Sequence, residues 1–205
     1  MPIDVGIAIL AGGRATRLPG KLTATTGDVP MIVRVLRNVR DASREIVVAT
    51  SAELADEISA LVDVPVVVDA EPARGPVAGL LAAFAAMESS RIFALAGDAP
   101  FVDAAFVDRL AVRWEPGDEA VVPVHDDGAG AMRSEPLAAL YDRTAFLRTG
   151  TEIVRAGRGA MRLVVEALAT RFVRVEEETF VFANVNTPAD DAAFRAELRT
   201  RGEIA

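Results

Sequence analysis

The 205-residue sequence contains no cysteine and only one histidine, and these two absences remove several kinds of chemistry at the outset. Disulfides, iron–sulfur clusters and cysteine-ligated zinc are excluded, and a chain without thiols suits a reducing compartment. Aromatic residues make up only 5%, with one Trp and one Tyr, so Trp114 and the phenylalanines read as core rather than as a stacking platform. Positive charge is in deficit, with 22 Lys and Arg against 30 Asp and Glu and a net charge of −8. Duplex binding depends on clustered cations that release counterions. No nucleic-acid partner is therefore expected, and any bound phosphate needs a local site. The longest apolar stretch, Pro76 to Met87, is too short to cross a bilayer, so no membrane partner is expected. No basic region precedes the apolar run Val5–Leu10, so the expected location is cytoplasmic without a secretory signal.

What is present is a well-filled globular composition, 51% apolar with a mean hydropathy of +0.28. No linker-like segment or internal repeat divides the chain, which reads as one domain over residues 1–205. Val5–Leu10, Glu45–Thr50, Pro65–Asp69, Arg91–Ala96 and Glu119–Val124 have the short β-branched character of strands buried on both faces. Helical patterns fall between them. Pro30–Ala42 and Pro76–Met87 open on proline, Ser51–Leu61 on a Ser cap and Asp103–Trp114 on an Asp cap. This alternation predicts an α/β fold with a mostly parallel sheet and helices on both faces. Beyond Val124 the reading is a loop at His125–Ser134 and helices at Pro136–Thr149 and Arg158–Thr170. Strands at Arg171–Val175 and Phe180–Asn184 and a last helix from Pro188 complete it.

Three segments carry chemistry. Directly after the first strand comes Leu10-Ala11-Gly12-Gly13-Arg14-Ala15-Thr16-Arg17-Leu18-Pro19-Gly20-Lys21. Its glycines allow backbone N–H groups to approach anionic oxygens, and Arg17 and Lys21 add cations, which makes a triphosphate site. A Walker A loop is ruled out because Leu22 follows Gly20-Lys21, and the dinucleotide Gly-x-Gly-x-x-Gly fingerprint is absent. The same residues also suit a plain turn with solvated cations. In Leu95-Ala96-Gly97-Asp98-Ala99-Pro100 a strand ends at a carboxylate positioned to hold magnesium against a triphosphate, or simply to shape a tight turn. Asp69 ends another strand ahead of Gly75-Pro76-Val77-Ala78-Gly79, where it can accept hydrogen bonds from a base edge or belong to a loop leading into a helix. His125 beside Asp126 and Asp127 reads as a loop residue rather than a metal ligand.

Together these segments resemble the molybdenum cofactor guanylyltransferases, the MobA-like NTP transferases, from Leu10 to Asp190. Glu-Pro-Leu-Ala-Ala-Leu-Tyr at 135–141 and Asn-Val-Asn-Thr-Pro-x-Asp at 184–190 extend the match. The resemblance implies a single Rossmann-like nucleotidyltransferase domain that transfers GMP from GTP to molybdopterin, with CTP or another phosphorylated acceptor as the alternative. A non-catalytic nucleotide-binding module is the reading from another class. The resemblance implies Gly12, Gly13, Arg17 and Lys21 on the triphosphate, Leu10 and Ala11 also among the nucleotide-binding residues, and Arg17, Lys21 and Asp98 as catalytic. By the same resemblance Asp69 reads the base, Asp98 is the ligand of a Mg2+ cofactor, Asn184 and Asn186 lie near the reacting phosphates, and Pro136–Tyr141 borders the pterin. The stretch before Lys21 is shorter than the family's usual one and lacks its Asp.

Overall fold

In a computed structural model of the chain, described over residues 4–12, 20–26, 29–69, 75–126, 130–175, 179–183, 185 and 187–200, the strand–helix alternation is realised. The strands are β1 Val5–Ala11, β2 Thr25–Thr26, β3 Val29–Pro30, β4 Ile46–Ser51, β5 Val66–Asp69, β6 Arg91–Ala96, β7 Ala120–Asp126, β8 Met132–Ser134, β9 Ala138–Asp142 and β10 Thr170–Arg174. The helices are α1 Met31–Val39, α2 Ala55–Leu61, α3 Pro76–Ala85, α4 Ala104–Ala111, α5 Arg143–Arg155, α6 Met161–Ala167 and α7 Pro188–Thr200.

The main sheet runs β10-β7-β9-β6-β1-β4-β5, with β8 paired to β7 alone. β6, β1, β4 and β5 are mutually parallel, as are β7 and β10, while β9 runs against both neighbours. Alternation along β1 explains the two layers: Val5, Ile7, Ile9 and Ala11 enter one core with Met31, Ile32, Val35 and Phe106 of α1 and α4. Ala8 enters the other, with Val77, Leu80 and Phe84 of α3 and Phe146 of α5. Period-two side chains thus serve helices on both faces. Trp114 packs against the first core.

Several expectations are corrected. Pro136–Thr149 is not one helix: Ala138–Asp142 forms β9, filling the gap between β6 and β7 with a buried Ala138–Tyr141 run. Pairing and burial on both faces override the helical propensity of its Ala and Leu. The helix starts at Arg143, where the Asp142 carboxylate accepts from the Ala145 N–H at 2.8 Å. The loop expected at His125–Ser134 instead begins inside β7 and ends in β8, because β9 pairs β7 only at Ala120 and Val121 and β8 takes up Val124–Asp126. The expected strand at Phe180–Asn184 includes part of a 3-10 turn, Thr179–Phe182; Asn184 lies outside the described residues. The helix expected over Arg158–Thr170 is only α6, since Thr170 already pairs with Ala120. Ser51 does not cap α2, because β4 continues through Ser51 to pair with Asp69. Pro30 sits in the small β2–β3 hairpin, just ahead of α1. β5 is an edge strand with Val68 45% exposed, so it is not buried on both faces.

Candidate active site

The parallel strands β6, β1, β4 and β5 end at one edge of the sheet, and the first three of them are reached in an order that reverses at β1. The chain leaves β1 for β4 on one side and returns as β6 on the other. Helices then diverge to opposite faces and leave a crevice at the strand ends. Leu10, Ala11 and Gly12 lie at the mouth of this crevice, followed two strands over by Asp69 at the end of β5, and Asp98 lies just beyond β6.

Close backbone approach shapes this mouth. The Gly97 N–H donates to the Leu10 carbonyl at 3.0 Å, and a Cβ on Gly97 would stand 3.0 Å from that oxygen and 3.4 Å from the Ala11 Cα. Any side chain there forces β6 away from β1 and moves Asp98 with it. On the other face a Cβ on Gly79 would meet Leu10 Cδ1 at 2.5 Å and Asp69 Oδ2 at 3.4 Å, so glycine lets α3 lie against both residues.

Lys21 and Asp98, 77 positions apart, meet as an ion pair between Nζ and Oδ2. Their side chains retain 13% and 18% exposure, largely shielded but not sealed from solvent. Lys21 stands on the turn opened by Gly20, whose carbonyl accepts from the Thr23 and Ala24 N–H groups at 3.0 and 2.7 Å. Asp98 is held from behind, since its own carbonyl accepts from the Val185 N–H at 3.2 Å. Asn38 of α1 donates to the Pro100 carbonyl at 2.7 Å, which ties the loop after Asp98 to the helix. Asp69 is 9% exposed. At about 4.8 Å per strand, the three steps from β6 to β5 separate the two ends by roughly 14 Å. Asp69 and Asp98 therefore stand at opposite ends of this stretch of the sheet edge.

Of the predicted residues, Leu10, Ala11, Gly12, Lys21, Asp69 and Asp98 converge on this edge; Gly13, Arg17, Asn184 and Asn186 lie outside the described residues. Val185, between the two asparagines in sequence, is buried and bonded to Asp98. Thr50 was not anticipated. It is 1% exposed at the end of β4, and its Oγ1 donates to the Ala11 carbonyl at 2.7 Å, which fixes the point where the glycine loop departs. Its signal in the sequence is a hydroxyl that follows the apolar run Ile46–Ala49 near the end of β4. Among the described residues no group of three or more His, Asp or Glu side chains is arranged to hold a metal.

The sequence profile of the MobA-like NTP transferase domain matches residues 7–191. This chain belongs to that family. Among members of the MobA-like group, a probable molybdenum cofactor guanylyltransferase of Haloferax mediterranei is 32% identical over 200 residues, covering 92% of each chain. A molybdenum cofactor guanylyltransferase of Cupriavidus metallidurans is 30% identical, with 90% of this chain and 91% of that one covered. The fold matches the crystal structure of molybdopterin-guanine dinucleotide biosynthesis protein A from Archaeoglobus fulgidus with a TM-score of 0.79. The two share 23% identity, over 96% of this chain and 99% of that one. The MobA-like fold puts Lys21 and Asp98 at its strand-order switch point, where doubly wound sheets bind ligands.

Proposed function

We propose that this chain is a molybdenum cofactor guanylyltransferase, a cytoplasmic single-domain enzyme that transfers GMP from GTP to molybdopterin and releases pyrophosphate. The observation that carries the reading is the Lys21–Asp98 pair at the switch point, beside the Leu10-Ala11-Gly12 turn. It joins a cation suited to phosphate oxygens with a carboxylate suited to a hard divalent ion. The names of the relatives supply the guanylyl group and the acceptor.

The reaction asks little of the protein as acid or base. An oxygen of molybdopterin's terminal phosphate forms a bond to the α-phosphorus of GTP, and the bond from that phosphorus to the β-phosphate bridging oxygen breaks, its electron pair leaving with pyrophosphate. The attacking phosphate is already ionised near neutrality, so no proton need be removed. Lys21, Arg17 and the amides of the glycine loop neutralise the triphosphate and hold it in line. Asp69 accepts from guanine N1–H and the exocyclic amine, and Asn184 and Asn186 serve the reacting phosphates. Asp98 would hold magnesium, which commonly takes only one or two carboxylates and completes its shell with phosphate oxygens and water; a partly shielded carboxylate in the crevice at the strand ends fits that demand. Bound there, the ion supplies charge neutralisation of the phosphates.

The test is a panel of GTP, CTP and ATP with purified molybdopterin and magnesium chloride, followed by pyrophosphate release and product mass. Pyrophosphate and a guanylylated pterin with GTP alone is the expected result; release with CTP instead overturns the guanylyl assignment.

A further inference from the structure

His125, the chain's one histidine, plays no part in the site as described, yet it is only 8% exposed near the end of β7. The sequence reading as a loop residue is corrected, since His125 belongs to β7. Its ring is pinned at both nitrogens: Nε2 lies 2.8 Å from Glu135 Oε1, and Nδ1 lies 3.1 Å from the Asp126 carbonyl oxygen. The face of the ring stacks on Phe182, with centroids 4.9 Å apart and planes 25° from parallel. Phe182 in turn meets Phe106 of α4 edge-on at 5.5 Å. Glu135 is itself anchored, its N–H donating to the Pro123 carbonyl and its carbonyl accepting from Ala138 N–H, each at 3.0 Å.

A group needed only to fill this space would be apolar, because burying an imidazole and a carboxylate costs desolvation that an aliphatic side chain avoids. What the polar pair adds is orientation. A ring fixed at two points presents one plane to Phe182, whereas an aliphatic chain would leave the phenyl free to tilt. Phe182 stands three residues before Val185, whose N–H bonds the Asp98 carbonyl. β7 runs in the same direction as β6, both being antiparallel to β9, so the His125 end of β7 shares the sheet edge with Asp98.

We propose that His125 and Glu135 are positioning residues for the transferase reaction, acting through Phe182 to hold Val185 against Asp98. The proposal rests on the role given to Asp98 under the proposed function. It makes the Glu135 segment, which the resemblance puts beside the pterin, part of the support for the metal-side carboxylate.

The test compares wild type with Glu135→Ala, Glu135→Gln and His125→Leu, reading kcat and KM for GTP with saturating molybdopterin, together with the melting temperature. Misplacement of reacting groups by about an ångström costs on the order of a hundredfold. Glu135→Ala and His125→Leu should therefore lose roughly ten- to a hundredfold in kcat with KM for GTP within about twofold, while Glu135→Gln, which keeps an acceptor oxygen, recovers most of the rate. Unchanged kcat in folded Glu135→Ala overturns the proposal. A second measurement reads wild type without turnover: with one histidine in the chain, isotope-labelled histidine gives a signal that reports on the His125 ring alone. Titration with magnesium chloride alone, and then with GTP, should shift that signal in wild type and leave it in place for the metal step in Asp98→Asn. An unmoved wild-type signal also overturns the proposal. If wild type releases no pyrophosphate from GTP and molybdopterin, the guanylyl reading fails by itself, whereas an active wild type beside an unimpaired, folded Glu135→Ala rejects the positioning pair alone.

Discussion

The two halves of the sheet solve different problems. From β1 to β6 the sheet's four strands are parallel to one another, and the candidate site residues sit at the strand ends or in the turns just past them. From β7 onward, β9 runs backwards between β6 and β7, β8 is appended to the end of β7, and the notable polar pair joins residues 125 and 135 across two strands. The first half places charge by local backbone shape. The second supports that charge by packing from a distance. Substitutions in the first half should therefore strike chemistry, and those in the second should strike rate through geometry or stability through ion pairs.

The largest effect belongs to Asp98→Asn, which removes the anionic ligand and the partner of Lys21 while keeping the shape. Turnover should fall roughly a thousandfold, with the melting temperature near that of wild type; near-normal pyrophosphate release at limiting magnesium would remove Asp98 from the centre of the scheme. Next comes Lys21→Ala. Charge-assisted bonds to the β- and γ-phosphates are lost, so kcat/KM for GTP should drop about a hundredfold while GMP affinity, measured by calorimetry, barely changes. Equal losses for both nucleotides mean that Lys21 serves something other than the triphosphate tail.

Asp69→Ala tests the far end of the ligand. Wild type should prefer GTP over CTP by roughly two decades in kcat/KM, because the wrong base leaves a buried carboxylate without its donors. The variant should narrow that ratio and leave the magnesium requirement alone; an unchanged ratio assigns base reading to other groups.

The smallest effect lies in the second half. The Glu119 carboxyl is held below its ordinary value of 4.5 by the Ala169 N–H and the Arg148 guanidinium, against a small opposing effect of burial. A depressed carboxyl contributes stability that is complete above 4.5 and is lost as pH falls through the folded value. Glu119→Gln should thus lower stability at pH 7 by less than ~1 kcal/mol, given how exposed the pair is. Denaturant melts of the two proteins should converge in acid. A gap that persists well below pH 4 would trace the loss to packing.

The contrast between the halves also explains what was legible in the sequence. β1, β4, β5 and β6 announce themselves because parallel strands are near-continuous apolar runs, and Asp69 and Asp98 because each ends one. The Asp103 cap and the close packing of Gly79 are local signals too, and both are present: Asp103 Oδ1 accepts from the Phe106 N–H at 2.7 Å. β9 was misread because Ala and Leu favour helix unless a slot in a sheet is waiting, and that slot is defined by β6 and β7, far away in sequence. Thr50, Asn38 and the His125–Glu135 pair escaped for a related reason. Each acts by touching a segment 10 to 62 positions off, and nothing in its own neighbourhood marks the partner.

The late arrival of β9 has a consequence for how the protein is made. β7 is synthesised before all three strands it pairs with, β8, β9 and β10, and β6 lacks its outer neighbour until residue 142 has been made. During synthesis the N-terminal strands can assemble while Ile92–Leu95 of β6 still show an unpaired, apolar edge, and β7 has nowhere to dock. Emergence of five residues, Ala138–Asp142, closes both openings at once. A chain that stops ahead of them leaves the apolar edge of β6 uncovered and β7 unpaired with the rest of the sheet.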